Sequence, residues 1–230
     1  ICPVYEAQIE HDPPYIAMRY VEGETLASAI GRARAGERSG PLPLPPRNGV
    51  ELRRVLHFVE RAARALHAAH EAGVIHRDIK PGNVMVTAEG EPVLLDFGQA
   101  RDEHAELDLR TLSGEVFGTP MYMSPEQVAG SSSGVDRRTD VWSLGASLFE
   151  ALTLARPFLG ESVPAVLLAI QKEALPPVRR MNAAIEDDAA VVVETALEKD
   201  LARRYATALE FAEDLRRVRE YEPIRARAAG

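Results

Sequence analysis

The fold of this 230-residue chain is decided by the stretch His76-Arg77-Asp78-Ile79-Lys80-Pro81-Gly82-Asn83, which Leu95-Asp96-Phe97-Gly98 follows along the sequence. Both stretches contain turn-forming residues, and we predict two neighbouring loops. The loops would bring together two carboxylates, an ammonium group and a carboxamide. Such a set suits phosphoryl transfer, which requires a group that orients the attacking hydroxyl, oxygens that hold a divalent cation, and positive charge beside the phosphate.

Each of the four side chains has a predicted role. Asp78 would act as the catalytic base, and Lys80 would contact the transferred phosphoryl group. Asn83 and Asp96 would hold Mg²⁺ or Mn²⁺, because magnesium prefers one or two protein oxygens and takes its other ligands from phosphate and water. Turn capping alone would also explain Asp and Asn in loops. The presence of both motifs in order favours the catalytic interpretation.

Together with Gly118-Thr119-Pro120-Met121-Tyr122-Met123-Ser124-Pro125-Glu126, the two motifs resemble those of the Ser/Thr protein kinase family, particularly its bacterial branch. The resemblance covers residues 1–221, and Lys80, two residues after Asp78, is its Ser/Thr-type feature. It implies an α+β fold, with a mainly helical C-terminal lobe and a remnant of a β-rich N-terminal lobe. It also implies ATP as the phosphate donor and a protein substrate as the acceptor.

The resemblance assigns further roles by position. Thr119 and Pro120 would belong to the loop that receives the substrate. An ion pair would join Glu126 to Arg204, and Asp140 would hold the catalytic loop. The rings of His76 and Phe97 would stack on each other in the hydrophobic column between the lobes. The residues with implied structural roles are His76, Phe97, Gly98, Glu126, Asp140 and Arg204.

The first 21 residues resemble the last strands and the hinge of the N-terminal lobe. Alternation over Val4–Ile9 predicts a half-buried strand, and Tyr15–Met18 predicts its partner. The resemblance implies an adenine site. Its residues would be Met18, Arg19, Tyr20, Val21 and Met85. For Met18, plain core packing is the open alternative.

Two parts of the family pattern are absent from the sequence. No two of the 16 glycines stand as Gly-x-Gly, and the three lysines, Lys80, Lys172 and Lys199, all lie outside the early strands. Because the chain opens on Ile1, we expect that the first part of the domain is cut off. We therefore expect very weak or no turnover from the fragment, since losing one charge stabiliser costs on the order of 10²–10³ in rate.

Composition excludes several classes of protein. A net charge of −8 without a Lys/Arg tract argues against nucleic-acid binding. A single cysteine, Cys2, excludes an internal disulfide framework. We find no secretory signal and no apolar span of membrane length, and we expect a cytoplasmic protein. Self-association through autophosphorylation is a further expectation.

Residues 22–220 are predicted to form the C-terminal lobe, with an irregular surface insertion at 31–49 and a linker or tail at 221–230. Within the insertion, Pro41–Pro46 is interpreted as a loop, with a polyproline ligand as the alternative. Apolar spacing predicts an amphipathic helix at 51–72. His67 and His70 lie near its end, and we interpret them as helix-surface residues rather than metal ligands.

The remaining elements follow from the same patterns. A strand pair is predicted at 84–86 and 93–95, and a helix that is apolar nearly all round at 140–152, where we expect central burial. Three more helices are predicted at 163–173, 187–198 and 207–219. Thr207 and Glu210 offer a capping box for the last of them.

The polar stretch at 99–115 resembles an activation segment. Thr111 and Ser113 are its candidate phosphorylation sites, and the resemblance places Arg77 to receive the phosphate. Plain solvated hydroxyls are the alternative for both residues. Two other functions stay open for the chain as a whole. These are a non-catalytic scaffold or docking module and a small-molecule phosphotransferase with the same fold.

Overall fold

Short strands and many helices make up the chain, of which a computed structural model describes residues 1–8, 13, 15–97, 120–130 and 135–226. Two antiparallel sheets occur in the described part, with strand orders β1-β2 and β3-β4-β5. The strands are β1 (Val4–Gln8), β2 (Tyr15–Met18), β3 (Gly23–Thr25), β4 (Val84–Thr87) and β5 (Pro92–Leu94). The second sheet includes the predicted strand pair, and β3 joins it without having been predicted.

Helices account for nearly half of the described residues and, with the short strands, confirm the predicted α+β class. The first four are α1 (Leu26–Arg34), α2 (Gly49–Glu71), α3 (Pro125–Val128) and α4 (Arg138–Thr153). The last four are α5 (Val163–Lys172), α6 (Val178–Met181), α7 (Asp187–Ala196) and α8 (Ala208–Glu220). The short helices α3 and α6 were not predicted.

Helix α4 lies at the centre of the hydrophobic core, as its nearly uniform apolar surface predicted. All its residues from Thr139 to Leu152 are buried. The Trp142 ring stacks on Phe158 with centroids 5.7 Å apart. Gly145 provides the close approach to α7, because a side chain at this position would meet the Ala196 Cβ at 2.9 Å. The site described below is held in place by this buried helix.

Three local predictions were wrong. The residues of β1 are exposed throughout, so the strand is not half-buried. Among the described strands it pairs with β2 alone. Helix α1 continues to Arg34, so the irregular segment begins at residue 35 rather than 31. In the last helix, Thr207 caps the Glu210 N–H at 3.1 Å, but the Glu210 carboxylate accepts from the Ala206 N–H, one residue too early for a capping box.

The proline-rich segment is packed against the protein rather than presented to solvent. Leu42 and Leu44 are both buried in the core cluster. The Arg54 guanidinium donates to the Pro41 carbonyl at 2.7 Å. This packing favours the loop interpretation over a polyproline ligand, since the apolar side chains that a partner would contact are already covered.

Candidate functional site

The backbone of the predicted catalytic loop is held by one buried carboxylate. Asp140, on α4, is fully buried and accepts the N–H of His76 at 2.9 Å and the N–H of Arg77 at 2.8 Å. Arg77 adopts the left-handed conformation with φ of 64°. A non-glycine residue is unfavourable there without outside contacts. The Asp140 carboxylate therefore supports the strained turn that presents Asp78.

His70 takes part in the same cluster, which corrects the helix-surface interpretation. Its Nε2 lies 2.7 Å from the Asp140 Oδ2, and its side chain is buried. The helical spacing carried a signal that could have found it, because His70 follows Leu66 by four residues and Ala63 by seven, on the buried face of α2. A histidine on that stripe is buried whatever its polarity, and Asp140 provides a partner for its Nε2.

Three of the predicted catalytic side chains meet at one oxygen atom. The Lys80 Nζ donates to the Asp78 Oδ2 at 2.7 Å, and the Asn83 Nδ2 donates to the same oxygen at 3.1 Å. The Asn83 Nδ2 also donates to the Asp78 carbonyl at 2.8 Å. Among the described residues, none donates to the Asp78 Oδ1. This oxygen is left to accept a hydrogen bond from a hydroxyl group.

The donor set fits a hard divalent cation. Because the Asn83 amide nitrogen is committed to two acceptors, its Oδ1 is the atom left to bind a metal. Asp96 is exposed, and its backbone lies beside Asn83, since the Leu95 N–H donates to the Asn83 carbonyl at 2.9 Å. No cluster of three His, Cys, Asp or Glu ligands occurs in the described ranges. One amide and one carboxylate match a site that takes its remaining ligands from phosphate and water.

The motif histidine links the two loops. The His76 Nε2 donates to the Leu95 carbonyl at 2.7 Å, which fixes its tautomer, and its ring lies 4.6 Å from that of Phe97. Asp96, between these two contacts, has a left-handed φ of 55°. The His76 hydrogen bond and the contact between the two rings thus fix the position of the second loop relative to the first.

A cavity of about 260 Å³ brings together all five residues of the predicted adenine site. Leu95 completes its lining and was missed from the sequence, although it directly precedes Asp96. Met18 is exposed rather than packed in the core, which disfavours the alternative for this residue. The Arg19 N–H donates to the Pro3 carbonyl at 3.0 Å. The lining of the cavity is: Met18, Arg19, Tyr20, Val21, Met85 and Leu95.

Glu126, on α3, and Arg204 form a buried ion pair. The two guanidinium nitrogens lie 2.7 and 3.1 Å from the two carboxylate oxygens, a bidentate geometry. Arg204 also donates to the Glu198 and Arg138 carbonyls and lies over the Trp142 ring. Pro120, of the predicted substrate loop, begins a 3-10 turn at Pro120–Tyr122.

The turn after Pro120 is fastened to α4 by Tyr122, whose hydroxyl donates to the Glu150 carboxylate. Burial raises the pKa of Tyr122 above its usual value, and the adjacent Glu150 charge raises it further. The phenol therefore remains a donor at all physiological pH values. Glu150 also pairs with Arg34 at 2.6 Å, so a partner from α1 balances its buried charge.

Some predicted residues lie outside the described residues, namely Gly98, Thr111, Ser113 and Thr119. Their assignments stay predictions, as does the phosphate-receiving role of Arg77. Among the described helices, none combines the length and the apolar character that crossing a membrane requires.

Comparison with known proteins gives consistent matches. The model of the family described as "Protein kinase domain" matches residues 1–215. Serine/threonine-protein kinase PknB of Mycobacterium leprae is 39% identical over 220 residues, which are 95% of this chain and 32% of that protein. The PknB protein of Mycolicibacterium smegmatis is 38% identical over 217 residues, 94% of this chain and 32% of that protein.

A third relative is named for a different activity. Tyrosine-protein kinase MasK of Myxococcus xanthus is 39% identical over 209 residues, which are 87% of this chain and 30% of that protein. The chain therefore spans about a third of the length of these curated relatives.

Proposed function

The chain belongs to the protein kinase family, and we propose that it carries the catalytic loop of a bacterial Ser/Thr protein kinase, which transfers the γ-phosphate of ATP to protein hydroxyl groups. The observation that carries the proposal is the difference in hydrogen bonding between the two oxygens of the Asp78 carboxylate. Its Oδ2 holds Lys80 and Asn83, while its Oδ1 accepts nothing from the described residues. A base with one fixed oxygen and one open oxygen is oriented for an incoming hydroxyl.

In the proposed reaction, the substrate hydroxyl donates to the Asp78 Oδ1 as its oxygen attacks the γ-phosphorus. The new P–O bond forms while the bond to the β,γ-bridging oxygen breaks, so ADP leaves and the hydroxyl proton passes to Asp78. Lys80, whose Nζ lies 2.7 Å from the same carboxylate, would stabilise the charge of the transferred group.

We propose Mg²⁺ as the cation, with the Asn83 Oδ1 and the Asp96 carboxylate as its protein ligands. When bound, it would neutralise charge on the phosphates. The adenine would lie in the cavity between Val21 and Met85, where apolar side chains suit a flat base. Because ATP is the donor, we place the activity in the cytoplasm.

The acceptor class is proposed as Ser and Thr. Lys80, two residues after the base, supports this choice, as do the names of the PknB relatives. The name of the Myxococcus xanthus relative makes Tyr the alternative acceptor to be tested.

The test is transfer of labelled phosphate from ATP to a generic protein substrate by the full-length protein that contains this chain. We expect transfer that needs Mg²⁺, stops with a chelator and labels Ser and Thr. Label on Tyr alone would replace the proposed acceptor class. No transfer by a folded full-length protein would overturn the proposal in favour of a scaffold or docking module.

We also propose that phosphorylation of Thr111 or Ser113 activates the protein, with Arg77 as the cation that receives the phosphate. A phosphate adds about −2 charge and three acceptor oxygens, and Arg77 directly precedes the base. Transfer between two copies of the chain would be one source of this phosphate. Alanine at both hydroxyl positions should abolish activation, and unchanged activity would rule out this regulation.

A further inference from the structure

The backbone of Arg77, which directly precedes Asp78, is held from two sides. At Arg77, the N–H donates to the Asp140 Oδ1 at 2.8 Å, and the carbonyl accepts from the Gln127 Nε2 at 2.9 Å. Arg77 has the left-handed φ of 64°. Asp140 holds the amide side of this unfavourable turn, and Gln127, from another element, holds the carbonyl side.

The orientation of the Gln127 amide is fixed by its other end. Its Oε1 accepts the Ser124 N–H at 3.0 Å, as part of the capping box that begins α3. The reverse orientation would set the Nε2 against the Ser124 N–H and the Oε1 against the Arg77 carbonyl. Both contacts would then be repulsive. The donor therefore points to the catalytic loop.

Helix α3 is itself a fixed support. Its Glu126 is paired with the buried Arg204, and two residues separate it from the 3-10 turn at Pro120–Tyr122. Gln127 thus joins the end of the substrate loop to the carbonyl next to the catalytic base. A displacement of about 1 Å at a reacting group can cost on the order of 10²-fold in rate.

We propose that Gln127 is a positioning residue for phosphoryl transfer, which acts by holding the Arg77 carbonyl so that the Asp78 carboxylate faces the substrate hydroxyl. This inference rests on the proposed kinase function. It adds a link between the substrate loop and the base, made by a residue that contacts neither nucleotide nor metal in the proposed site.

The test uses two substitutions at Gln127 and one matched control in the full-length protein. Gln127→Leu removes the donor, and Gln127→Glu sets a second acceptor against the Arg77 carbonyl. Val128→Ala is the control, because it trims a partly buried side chain on the same helix without a bond to the catalytic loop. Each variant is assayed below its own melting temperature.

We expect kcat to fall about tenfold in Gln127→Leu and further in Gln127→Glu, while KM for ATP stays within about twofold. Amide hydrogen exchange across residues 74–82 should become about tenfold faster in both variants. The control should lose thermal stability yet keep its kcat and its exchange rates in this segment.

A Gln127→Leu protein with wild-type kcat would overturn the proposal, and so would an equal fall in kcat in Val128→Ala. Amide exchange is measured without catalysis, so it tests the Gln127 link separately from the proposed kinase function. If the wild-type protein transfers no phosphate, the proposed function fails. Unchanged exchange in the Gln127 variants would contradict the link itself.

Discussion

Two ion pairs in this protein have the same shortest N–O separation of 2.7 Å but opposite surroundings. The side chains of Lys80 and Asp78 are 25% and 28% exposed, whereas those of Arg204 and Glu126 are 0% and 8% exposed. The partly exposed Lys80–Asp78 pair can exchange partners at little cost, because water and salt screen it. The buried pair cannot, because separation would leave a charge without solvent. Distance alone does not distinguish a catalytic pair from a structural one.

The largest expected effect on stability comes from breaking the buried pair. Glu126→Gln leaves the Arg204 guanidinium without its carboxylate, and the free energy of unfolding should fall by about 3–5 kcal/mol. Urea denaturation would measure it. The control is Glu213→Gln, in a partly exposed pair with Arg64, which should change stability by no more than about 1 kcal/mol. Equal losses in both variants would remove the contrast between buried and exposed pairs.

Breaking the exposed pair should instead affect the reaction. Lys80→Met should lower kcat of the full-length protein by on the order of 10²-fold, because the transferred phosphoryl loses a charge partner. Its stability should change by less than about 1 kcal/mol. Steady-state kinetics with Lys172→Met, an exposed lysine on α5, provides the comparison. A Lys80→Met enzyme with normal kcat would mean that the ion pair has no catalytic part.

An intermediate effect is expected at the carboxylate that holds the loop. Asp140→Asn replaces one acceptor oxygen by an N–H donor, so at least one of the three bonds to His70, His76 and Arg77 is lost. Unfolding free energy should decrease by about 1–3 kcal/mol. Thermal or urea unfolding of the variant, beside the exposed Asp188→Asn, would measure this. No difference between the two would show that the cluster contributes little.

The smallest effect concerns a partly buried carboxylate that has no cation partner among the described residues. Burial raises the pKa of Glu194, and the nearby Glu198 charge raises it further. The ionised form therefore lowers stability near neutral pH, and the penalty disappears as the pH falls through the raised pKa. Glu194→Gln should be more stable at pH 7 by less than about 1 kcal/mol after screening, and equal to wild type by about pH 4. A difference that grows on acidification would contradict the sign.

The sequence predicted what depends on local pattern. Apolar spacing located α2 and α4, and the two motifs led to the family, which the comparisons confirm. Strand β3 could not be found this way. It has three residues, and its partner β4 lies about sixty residues further along, so its pairing depends on tertiary structure.

In the candidate site, too, the residues that belong to a local motif were predicted and those that depend on tertiary contacts were not. Asp78, Lys80 and Asn83 were found by motif, and the structure brings them to one oxygen atom. Gln127 was missed, because its role comes from a contact across fifty residues. His70 was misinterpreted because polarity was given more weight than its position on the buried stripe of α2.

The most direct test of the catalytic assignment is the rate of phosphate transfer by the full-length protein with Asp78→Asn, measured beside Glu89→Gln, an exposed carboxylate in the β4–β5 turn. The account predicts a fall on the order of 10²–10⁴ in kcat for Asp78→Asn, with stability changed by no more than about 1 kcal/mol, and wild-type kcat for the control. Transfer by the folded Asp78→Asn protein at the wild-type rate would contradict the assignment of Asp78 as the base.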